Sequence, residues 1–244
     1  LHNNENPMGP SLAALDAMRD VLGGGDPAGR YPFDAARTLP GVISEIVGVP
    51  SDRVMVGNGS TQLLRTATQV FTSPEHPLVA GALTYEECGG YADVVGHPQR
   101  KVPLTDDLML DLDGMVEAAR GGGMVFLNNP NNPTGTVHSE AAVASFIESV
   151  LAADPDVVVC VDEAYHDYVT DPAYATAIPI AADNERVIVA RTFSKAHGMA
   201  GMRIGYVVGH PEALRRMRAW HYGLSLNVLA LAAAGASIRD ETTI

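Results

Sequence analysis

The most informative stretch of this chain for predicting its fold is Val157-Val158-Val159-Cys160-Val161-Asp162-Glu163-Ala164-Tyr165. Its apolar run has no polar alternation, which predicts a strand that is buried on both faces. Comparable runs occupy residues 187–190 and 204–208, and further strand candidates lie at 53–56, 78–82 and 124–127. Because such strands form parallel sheets covered by helices, we predict an α/β fold. Its large domain would have three layers, α/β/α, around a mostly parallel sheet.

Helical patterns alternate with these strands. Ser11 is the expected cap of a helix that runs to about Leu22, and a second helix opens near Ser60. The clearest pattern follows Ser139, where apolar residues recur at positions 143, 146, 147, 150 and 151. This spacing predicts packing against the core and carries no chemistry. The apolar side of the first helix consists of Leu12, Leu15, Met18 and Leu22.

Composition excludes several classes of partner. The 244 residues are 46% hydrophobic and 18% charged, and the formal net charge is −13. Without a basic stripe, neither nucleic acid nor an anionic membrane surface is an expected partner. Cys88 and Cys160 are far apart and form no CxxC pair, so we expect a reducing, cytoplasmic location. HExxH, paired Cys/His and Gly-x-Ser-x-Gly patterns are absent, so we expect neither a metal site nor a serine hydrolase.

The first candidate for chemistry is Lys195, which follows the strand at 187–190. A lysine at the end of a buried strand is costly to desolvate unless it is neutralised or bonded. The hydroxyls of Thr192 and Ser194 and the guanidinium of Arg203 would form an anion cradle beside it. An amine next to a phosphate-sized site indicates a Schiff-base lysine that holds a phosphorylated aldehyde. A surface lysine in a strand-to-helix loop is the alternative.

Polar residues follow three other strands, at the edge of the sheet where ligands collect. The stretch Gly57-Asn58-Gly59-Ser60-Thr61 opens a helix, and its free N–H groups favour an anion. The Asn- and Pro-rich run at 128–135 is longer than a plain turn requires. Asp162 follows an apolar strand, so its carboxylate needs a cation such as a protonated pyridine nitrogen. A metal ligand or a helix cap would explain Asp162 equally well. Tyr165 lies three residues further on.

Together these pieces meet the needs of one cofactor, pyridoxal 5′-phosphate. This cofactor requires a lysine for its aldehyde and a carboxylate that keeps its ring nitrogen protonated. It also requires donors to its 3′-oxygen, an aromatic cover and a cationic phosphate cup. The residues that could supply them are Lys195, Asp162, Asn132, Tyr165, Tyr85, Arg203, Ser194 and the turn Gly59-Ser60-Thr61.

Motifs along nearly the whole chain carry a family resemblance. They are Asn4-Glu5-Asn6-Pro7, Arg30-Tyr31-Pro32, Gly59-Ser60-Thr61, Thr84-Tyr85, Asn131-Asn132-Pro133-Thr134-Gly135, Asp162-Glu163-Ala164-Tyr165, Ser194-Lys195 and Gly201-Met202-Arg203-Ile204-Gly205-Tyr206. On these motifs the chain resembles the pyridoxal-phosphate-dependent aminotransferases of fold type I, class I/II superfamily. The resemblance is greatest to their histidinol-phosphate aminotransferase-like branch.

The resemblance implies a role for each candidate residue. Lys195 would form the internal aldimine and shuttle a proton between the substrate Cα and the cofactor C4′, and Asp162 would pair with N1. Asn132 and Tyr165 would bond the 3′-oxygen, while Tyr85 would stack on the ring. Lys195, Asp162 and Tyr165 would therefore be the catalytic residues. The phosphate would be held by Gly59, Ser60, Thr61, Thr192, Ser194 and Arg203.

Two more residues take roles from the resemblance. Tyr31 would reach the cofactor phosphate of a neighbouring subunit, so the active unit would be a homodimer with its sites at the interface. Asn6 would lie near the substrate. His197 departs from the branch, which often carries an aromatic residue two positions after the lysine.

The resemblance also implies a division into domains. Residues 1–30 would be an N-terminal arm or small-domain segment, 31–225 the cofactor-binding large domain, and 226–244 the start of the connection to a C-terminal small domain. The chain begins at Leu1 without a Met and stops at Ile244 after an apolar helix pattern, so we interpret it as a piece of a longer polypeptide. The family's substrate-carboxylate arginine would lie in the small domain, beyond Ile244.

The implied reaction is amino transfer by a ping-pong mechanism. An amino donor, histidinol phosphate or an amino acid, would pass its amino group to a 2-oxo acid such as 2-oxoglutarate, in amino-acid biosynthesis. Two alternatives use the same scaffold and cofactor: a phosphothreonine-type decarboxylase and an amino-acid oxidase. A third is a non-enzymatic domain that binds the cofactor and regulates transcription.

Overall fold

The computed structural model describes residues 3–24, 27–221 and 225–240. Their strands form a seven-stranded sheet in the order β1-β7-β6-β5-β4-β2-β3. The strands are β1 (Val54–Gly57), β2 (Leu78–Gly81), β3 (Gln99–Val102), β4 (Met124–Asn128), β5 (Val158–Asp162), β6 (Val187–Thr192) and β7 (Gly205–Val208).

Helices separate most of these strands along the chain. They are α1 (Leu12–Gly23), α2 (Phe33–Val47), α3 (Gly59–Phe71), α4 (Glu87–Val95), α5 (Leu112–Ala119), α6 (Glu140–Ala153), α7 (Ile178–Asp183), α8 (Pro211–Arg218) and α9 (Val228–Ser237). None of the helices in the described ranges is long and apolar enough to cross a membrane. The alternation of strands and helices confirms the predicted α/β fold.

The chain divides into two compact units, each built from separate stretches. The lysine unit comprises residues 1–63, 191–207 and 221–244, and the aspartate unit comprises residues 64–190 and 208–220. In the aspartate unit, β2 pairs in parallel with β3 and β4, β4 with β5, and β5 with the first part of β6. Asn128 is opposite Asp162, so the polar ends of β4 and β5 lie side by side. The predicted parallel sheet is thus confirmed.

The core of the aspartate unit follows from the apolar runs in the sequence. All residues of β2, β4 and β5 are buried, because helices α5 and α6 pack against this part of the sheet. Helix α6 starts after its cap Ser139, whose hydroxyl accepts the N–H of Ala142, and it buries Val143, Phe146, Ile147 and Val150 as the spacing predicted. The packing role assigned to this stripe is therefore confirmed.

Helices form much of the lysine unit. Helix α1 begins after Ser11, whose hydroxyl accepts the N–H of Ala14, and it packs against α9. Its predicted apolar side is only partly buried, since Leu12 is 75% and Leu22 is 60% exposed. The fully buried residue of α1 is Ala14, and α9 contributes the small residues Ala230, Ala233 and Ala234. Two of the four residues on the predicted apolar side of α1 are therefore exposed, and Ala14 is its fully buried residue.

Candidate active site

Lys195 lies in the turn that follows β6, within the lysine unit. Its carbonyl accepts the N–H of Gly198 at 2.9 Å, and the N–H of Met199 donates to the carbonyl of Phe193 at 3.0 Å. The lysine side chain is half-buried, and its Nζ donates to the carbonyl of Asn3 at 2.9 Å. The amine therefore has a defined acceptor from a distant segment, which a mobile surface lysine would lack.

An anion cradle lies beside this turn. Nη1 of Arg203 donates to the carbonyl of Ala200 at 2.7 Å and to Oγ of Ser194 at 3.4 Å, and Nη2 donates to Oγ1 of Thr61 at 3.5 Å. Oγ1 of Thr192 donates to Oγ of Ser194 at 2.9 Å. The guanidinium thus contacts two hydroxyl groups, and a third hydroxyl, that of Thr192, joins them through Ser194, which is a donor set suited to a phosphate. The structure brings together the predicted residues Thr61, Thr192, Ser194 and Arg203.

Two glycines let the backbone close around this cradle. Gly59 opens α3 with a φ of +75°, and a Cβ there would stand 2.5 Å from Nη2 of Arg203. Gly205 opens β7, and a Cβ there would stand 2.5 Å from the backbone nitrogen of Ser60 and 2.8 Å from the carbonyl oxygen of Arg191. The first turn of α3, whose N–H groups favour anions, can approach this closely only because both residues are glycine.

Asn6 and Tyr31, the two remaining predicted residues of the lysine unit, differ in placement. Nδ2 of Asn6 donates to the carbonyl of Ala196 at 2.8 Å, so this side chain reaches the lysine turn. Tyr31 is 70% exposed, and its ring centroid lies 5.7 Å from that of Phe33. The structure therefore brings Asn6 to Lys195 and leaves Tyr31 at the surface of its own unit.

Asp162 is the last residue of β5 in the aspartate unit, and it is only 1% exposed. Its backbone carbonyl accepts the N–H of Asn129 at 3.0 Å and Nδ2 of Asn128 at 3.3 Å. A carboxylate at this depth is stable as an anion only beside a positive partner. Tyr165 is half-buried in the turn beyond the strand, with its ring 6.5 Å from that of Tyr168.

A hydrogen-bond network positions Asn132 and Tyr85 in the same unit. The N–H of Asn132 donates to Oδ1 of Asn128 at 2.7 Å. Oγ1 of Thr84 donates to Oδ1 of Asn131 at 2.7 Å, which ties the loop after β2 to the loop after β4. Asn132 and Tyr85 both line an open cavity of about 670 Å³. The two predicted cofactor ligands are therefore neighbours.

Three residues support the predicted ones but were given no role from the sequence: Asn128, Thr84 and Glu163. Glu163 is 2% exposed, and its carboxylate accepts Oγ1–H of Thr176 and the N–H of Ala177, both at 2.7 Å. It therefore fixes the turn between Asp162 and Tyr165 to the start of α7. Its position next to Asp162 was the only signal in the sequence, since its partners lie more than ten residues further along the chain.

The two cysteines take no part in this chemistry. Burial raises the pKa of both the Cys88 and the Cys160 thiols, and the negative charge of Asp162 raises each further. Both therefore stay protonated and are poor nucleophiles. Among the described residues, no group of His, Cys, Asp and Glu side chains is arranged to hold a metal ion.

Comparison with known proteins extends these findings. Residues 1–244 match the family model for aminotransferases of class I and II. A histidinol-phosphate aminotransferase from Nitrosococcus oceani is 38% identical over 99% of the chain and 64% of its own length. An aromatic amino acid aminotransferase from Thermobifida fusca is 34% identical over 99% of the chain and 66% of its own length. The chain thus spans less than two thirds of each relative.

A solved structure has the same fold. The histidinol-phosphate aminotransferase from Sinorhizobium meliloti, crystallised with pyridoxal 5′-phosphate, superposes with a TM-score of 0.88 at 28% identity. The match covers 98% of this chain and 63% of that one. The lysine turn, anion cradle and buried aspartate thus occur in a chain with the architecture of a fold-type I pyridoxal-phosphate protein.

This chain belongs to the aminotransferase class I and II family, in its histidinol-phosphate aminotransferase-like branch. The predicted cofactor, pyridoxal 5′-phosphate, is thereby confirmed.

Proposed function

We propose that the protein carrying this chain is an aminotransferase that moves an amino group from an amino donor to a 2-oxo acid such as 2-oxoglutarate. One observation carries the proposal. The guanidinium of Arg203, a residue close in sequence to Lys195, lies against the hydroxyls of Ser194 and Thr61, and together these groups form a donor set suited to a phosphate. A phosphate placed there would keep the rest of the cofactor within reach of the lysine amine.

The lysine unit would bind the phosphate and carry the nucleophile. The N–H groups of Gly59, Ser60 and Thr61 at the start of α3 would donate to phosphate oxygens, because a helix N-terminus favours an anion. Arg203 and the hydroxyls of Thr192 and Ser194 would complete the shell. Nζ of Lys195 would hold the cofactor covalently at its aldehyde carbon, with the aldehyde oxygen lost as water. Once released by the substrate, Nζ would carry the proton that leaves the substrate Cα. Asn6, bonded next to the lysine, would contact the substrate.

The aspartate unit would control the cofactor ring. The bound cofactor supplies an electron sink for the charge that develops at the substrate Cα. The carboxylate of Asp162 would hold a proton on the ring nitrogen, and burial makes that ion pair strong. Asn132 and Tyr165 would donate to the 3′-oxygen. Tyr85, which shares a cavity with Asn132, would cover one face of the ring and exclude water.

The amino donor is proposed from the relatives. The Nitrosococcus oceani relative is named a histidinol-phosphate aminotransferase, and the Thermobifida fusca relative is named for aromatic amino acids. Both donors carry a planar ring that is one methylene group away from the amino-bearing carbon. We propose histidinol phosphate as the first donor to assay and an aromatic amino acid as the second.

Three wider assignments are part of the same proposal. A homodimer is proposed because Tyr31 is exposed on its own unit and is therefore accessible to a second subunit. A cytoplasmic location is proposed because Cys88 and Cys160 are free thiols. The domain division keeps the boundaries 1–30, 31–225 and 226–244. With these boundaries, all of the proposed cofactor ligands lie in the middle segment, residues 31–225.

The test uses the protein that carries this chain, purified with added pyridoxal 5′-phosphate. We expect a visible chromophore, and borohydride reduction should fix the cofactor mass on the peptide containing Lys195. Addition of histidinol phosphate should bleach the visible band, and 2-oxoglutarate should restore it as glutamate forms. The variant Lys195→Ala should bind the cofactor without covalent attachment. Carbon dioxide release would instead indicate the decarboxylase, and oxygen consumption the oxidase. A cofactor that binds but reacts with no donor would indicate the regulatory domain.

A further inference from the structure

His197 and Ser237 form a buried polar contact directly beside the lysine turn. Nδ1 of His197 and Oγ of Ser237 share a hydrogen bond of 2.8 Å. His197 is 7% exposed and Ser237 is 1% exposed, so water has little access to either group. The proposed function uses neither residue. Their contact therefore requires a separate explanation, because buried polar groups cost stability unless they are bonded to each other.

The contact links two parts of the lysine unit. His197 lies two residues after Lys195, and Ser237 is the last residue of α9. Helix α9 packs against α1 and α2, so it gives Ser237 a fixed position. The ring of His197 also packs on Phe193, with 4.8 Å between the centroids. The imidazole is thus held by a hydrogen bond and by an aromatic neighbour from the other end of the turn.

The turn around Lys195 is held from both directions along the chain. Asn6 from the N-terminal segment donates to the carbonyl of Ala196 at 2.8 Å. Ser237 from α9 holds the next residue, His197. Between these anchors the backbone bonds of Gly198 and Met199 close the turn. With the two residues that follow Lys195 fixed, the direction in which its side chain leaves the backbone is restricted.

We propose that His197 and Ser237 are positioning residues that hold Lys195 in the direction required to attach the cofactor. The inference rests on the proposed function, in which Lys195 is the attachment point. Both side chains would act through the backbone of residues 195–199 and not by contact with the reacting atoms. An error of about 1 Å in the position of a reacting group can reduce a rate roughly 100-fold. A fixed hydrogen bond near the nucleophile would therefore affect catalysis through the position of Lys195.

The test compares three variants with a matched control. His197→Phe keeps a ring that can pack on Phe193 and removes the hydrogen bond. Ser237→Ala removes the same bond from the other side, and the double variant removes both partners. The control is Ser139→Ala, which deletes the cap of α6 far from the lysine turn in sequence and lowers stability by a comparable amount.

Two measurements separate positioning from simple stability. The first is the rate at which the cofactor becomes attached to Lys195, followed by its visible absorbance. The second is hydrogen exchange at the amides of Gly198 and Met199 in the protein without cofactor. We expect each single variant to attach the cofactor about 10- to 100-fold more slowly and to exchange both amides faster. The control should lower Tm by a few degrees and leave both measurements unchanged.

The double variant gives the decisive result. Removal of both polar partners leaves neither member of this hydrogen bond unsatisfied, so Tm should recover toward that of the wild type. If the pair positions the lysine, attachment and exchange will stay altered while Tm recovers. If the attachment rate and the amide exchange recover together with Tm, the inference is overturned. It is also overturned if the single variants attach the cofactor at the wild-type rate. Neither result would affect the proposed function. A wild-type protein that takes up no cofactor would overturn both.

Discussion

Arg203 combines backbone strain with a central place in the anion cradle. Its φ of +56° lies in the left-handed region, which costs a non-glycine residue about 1 kcal/mol or more. That conformation brings the guanidinium to Ala200, Ser194 and Thr61 at the same time. Strain of this kind persists only when the surrounding structure enforces it, which indicates a functional role for the side chain.

Substitution Arg203→Lys should weaken cofactor binding. A lysine keeps the positive charge but loses the planar set of donors that reaches several partners. Loss of one charged hydrogen bond costs about 1.5–3 kcal/mol, which is a roughly 10- to 100-fold increase in Kd. Spectroscopic titration with pyridoxal 5′-phosphate measures this change. Arg239→Lys, at an exposed ion pair with Glu45, is the matched control. An unchanged Kd in Arg203→Lys would remove Arg203 from the phosphate cup.

Gly205 should tolerate alanine much less well than Gly201. A Cβ at Gly205 would approach the backbone of Ser60 and Arg191 within 3 Å, whereas a Cβ at Gly201 would meet no atom within 4 Å. Because backbone atoms cannot rotate away, Gly205→Ala should cost about 1–3 kcal/mol and displace the start of α3. We expect a lower Tm together with a weaker affinity for the cofactor. Equal behaviour of the two alanine variants in thermal unfolding would contradict the close packing described for β7.

At the residue scale, the sequence indicated candidate catalytic residues but not the residues that hold them in place. Lys195 and Asp162 were candidates because charged residues at the ends of apolar strands are unusual, and Arg203 was a candidate because it is a fixed cation close to Lys195 in sequence. The roles of Asn128 and Glu163 depend on contacts with residues in other loops, and spacing along the chain does not encode those distances. The same is true of the contact between His197 and Ser237, which are 40 residues apart.

At the scale of elements, continuous apolar runs predicted buried strands correctly. An exposed edge strand and a helix that contains proline were not predicted. The strands β4, β5 and β6 lie close to their predicted positions because each is a continuous buried run. Strand β3 was missed, since its sequence Gln99-Arg100-Lys101-Val102 belongs to an edge strand that is mostly accessible to water. Helix α2 was also missed. It contains Pro40, a residue that usually argues against a helix interior.

Asp154, at the end of α6, makes a contribution to the stability of the fold that depends on pH. Its Oδ1 accepts the N–H of Asp156 at 2.9 Å, and its Oδ2 accepts the N–H of Gly121 at 2.8 Å. These bonds, in that order of effect, lower the pKa of the Asp154 carboxyl below the ordinary value of 3.8. A folded-state pKa below the unfolded value means that the carboxylate stabilises the fold at neutral pH. This contribution is lost as the pH falls below 3.8 and through the folded-state pKa.

Substitution Asp154→Asn should therefore lower Tm at pH 7 and have a smaller effect in acid. We expect a decrease of about 1–3 °C at pH 7, because the amide is a weaker acceptor for the two N–H donors. The difference from the wild type should shrink at about pH 3, where the wild-type carboxyl begins to protonate. Asp156→Asn is the control, since Asp156 contributes to this contact only its backbone N–H. A difference in Tm that does not vary with pH would show that the carboxylate charge is irrelevant.

At the scale of the whole molecule, the arrangement of the chain could not be predicted from the sequence. The lysine unit collects residues 1–63, 191–207 and 221–244, which no local pattern connects. Contacts such as that of Asn6 with Ala196 join residues that are 190 positions apart in the sequence. The proposed domains follow the chain in order. They remain a prediction, and so does the homodimer that would give Tyr31 a role.

The homodimer can be tested by complementation between two inactive variants. If Tyr31 serves the phosphate of the neighbouring subunit, Lys195→Ala and Tyr31→Ala damage the same site only when they lie on different subunits. A mixed dimer then contains one site with both defects and one site with neither. Random reassembly of equal amounts should restore roughly a quarter of the wild-type activity, since half of the dimers are mixed and each has one intact site. Light scattering should first show that both variants form dimers of wild-type mass. If Tyr31 acts within its own subunit, every site in a mixed dimer carries one defect and no activity returns. The expected recovery therefore distinguishes a shared site from a self-contained one.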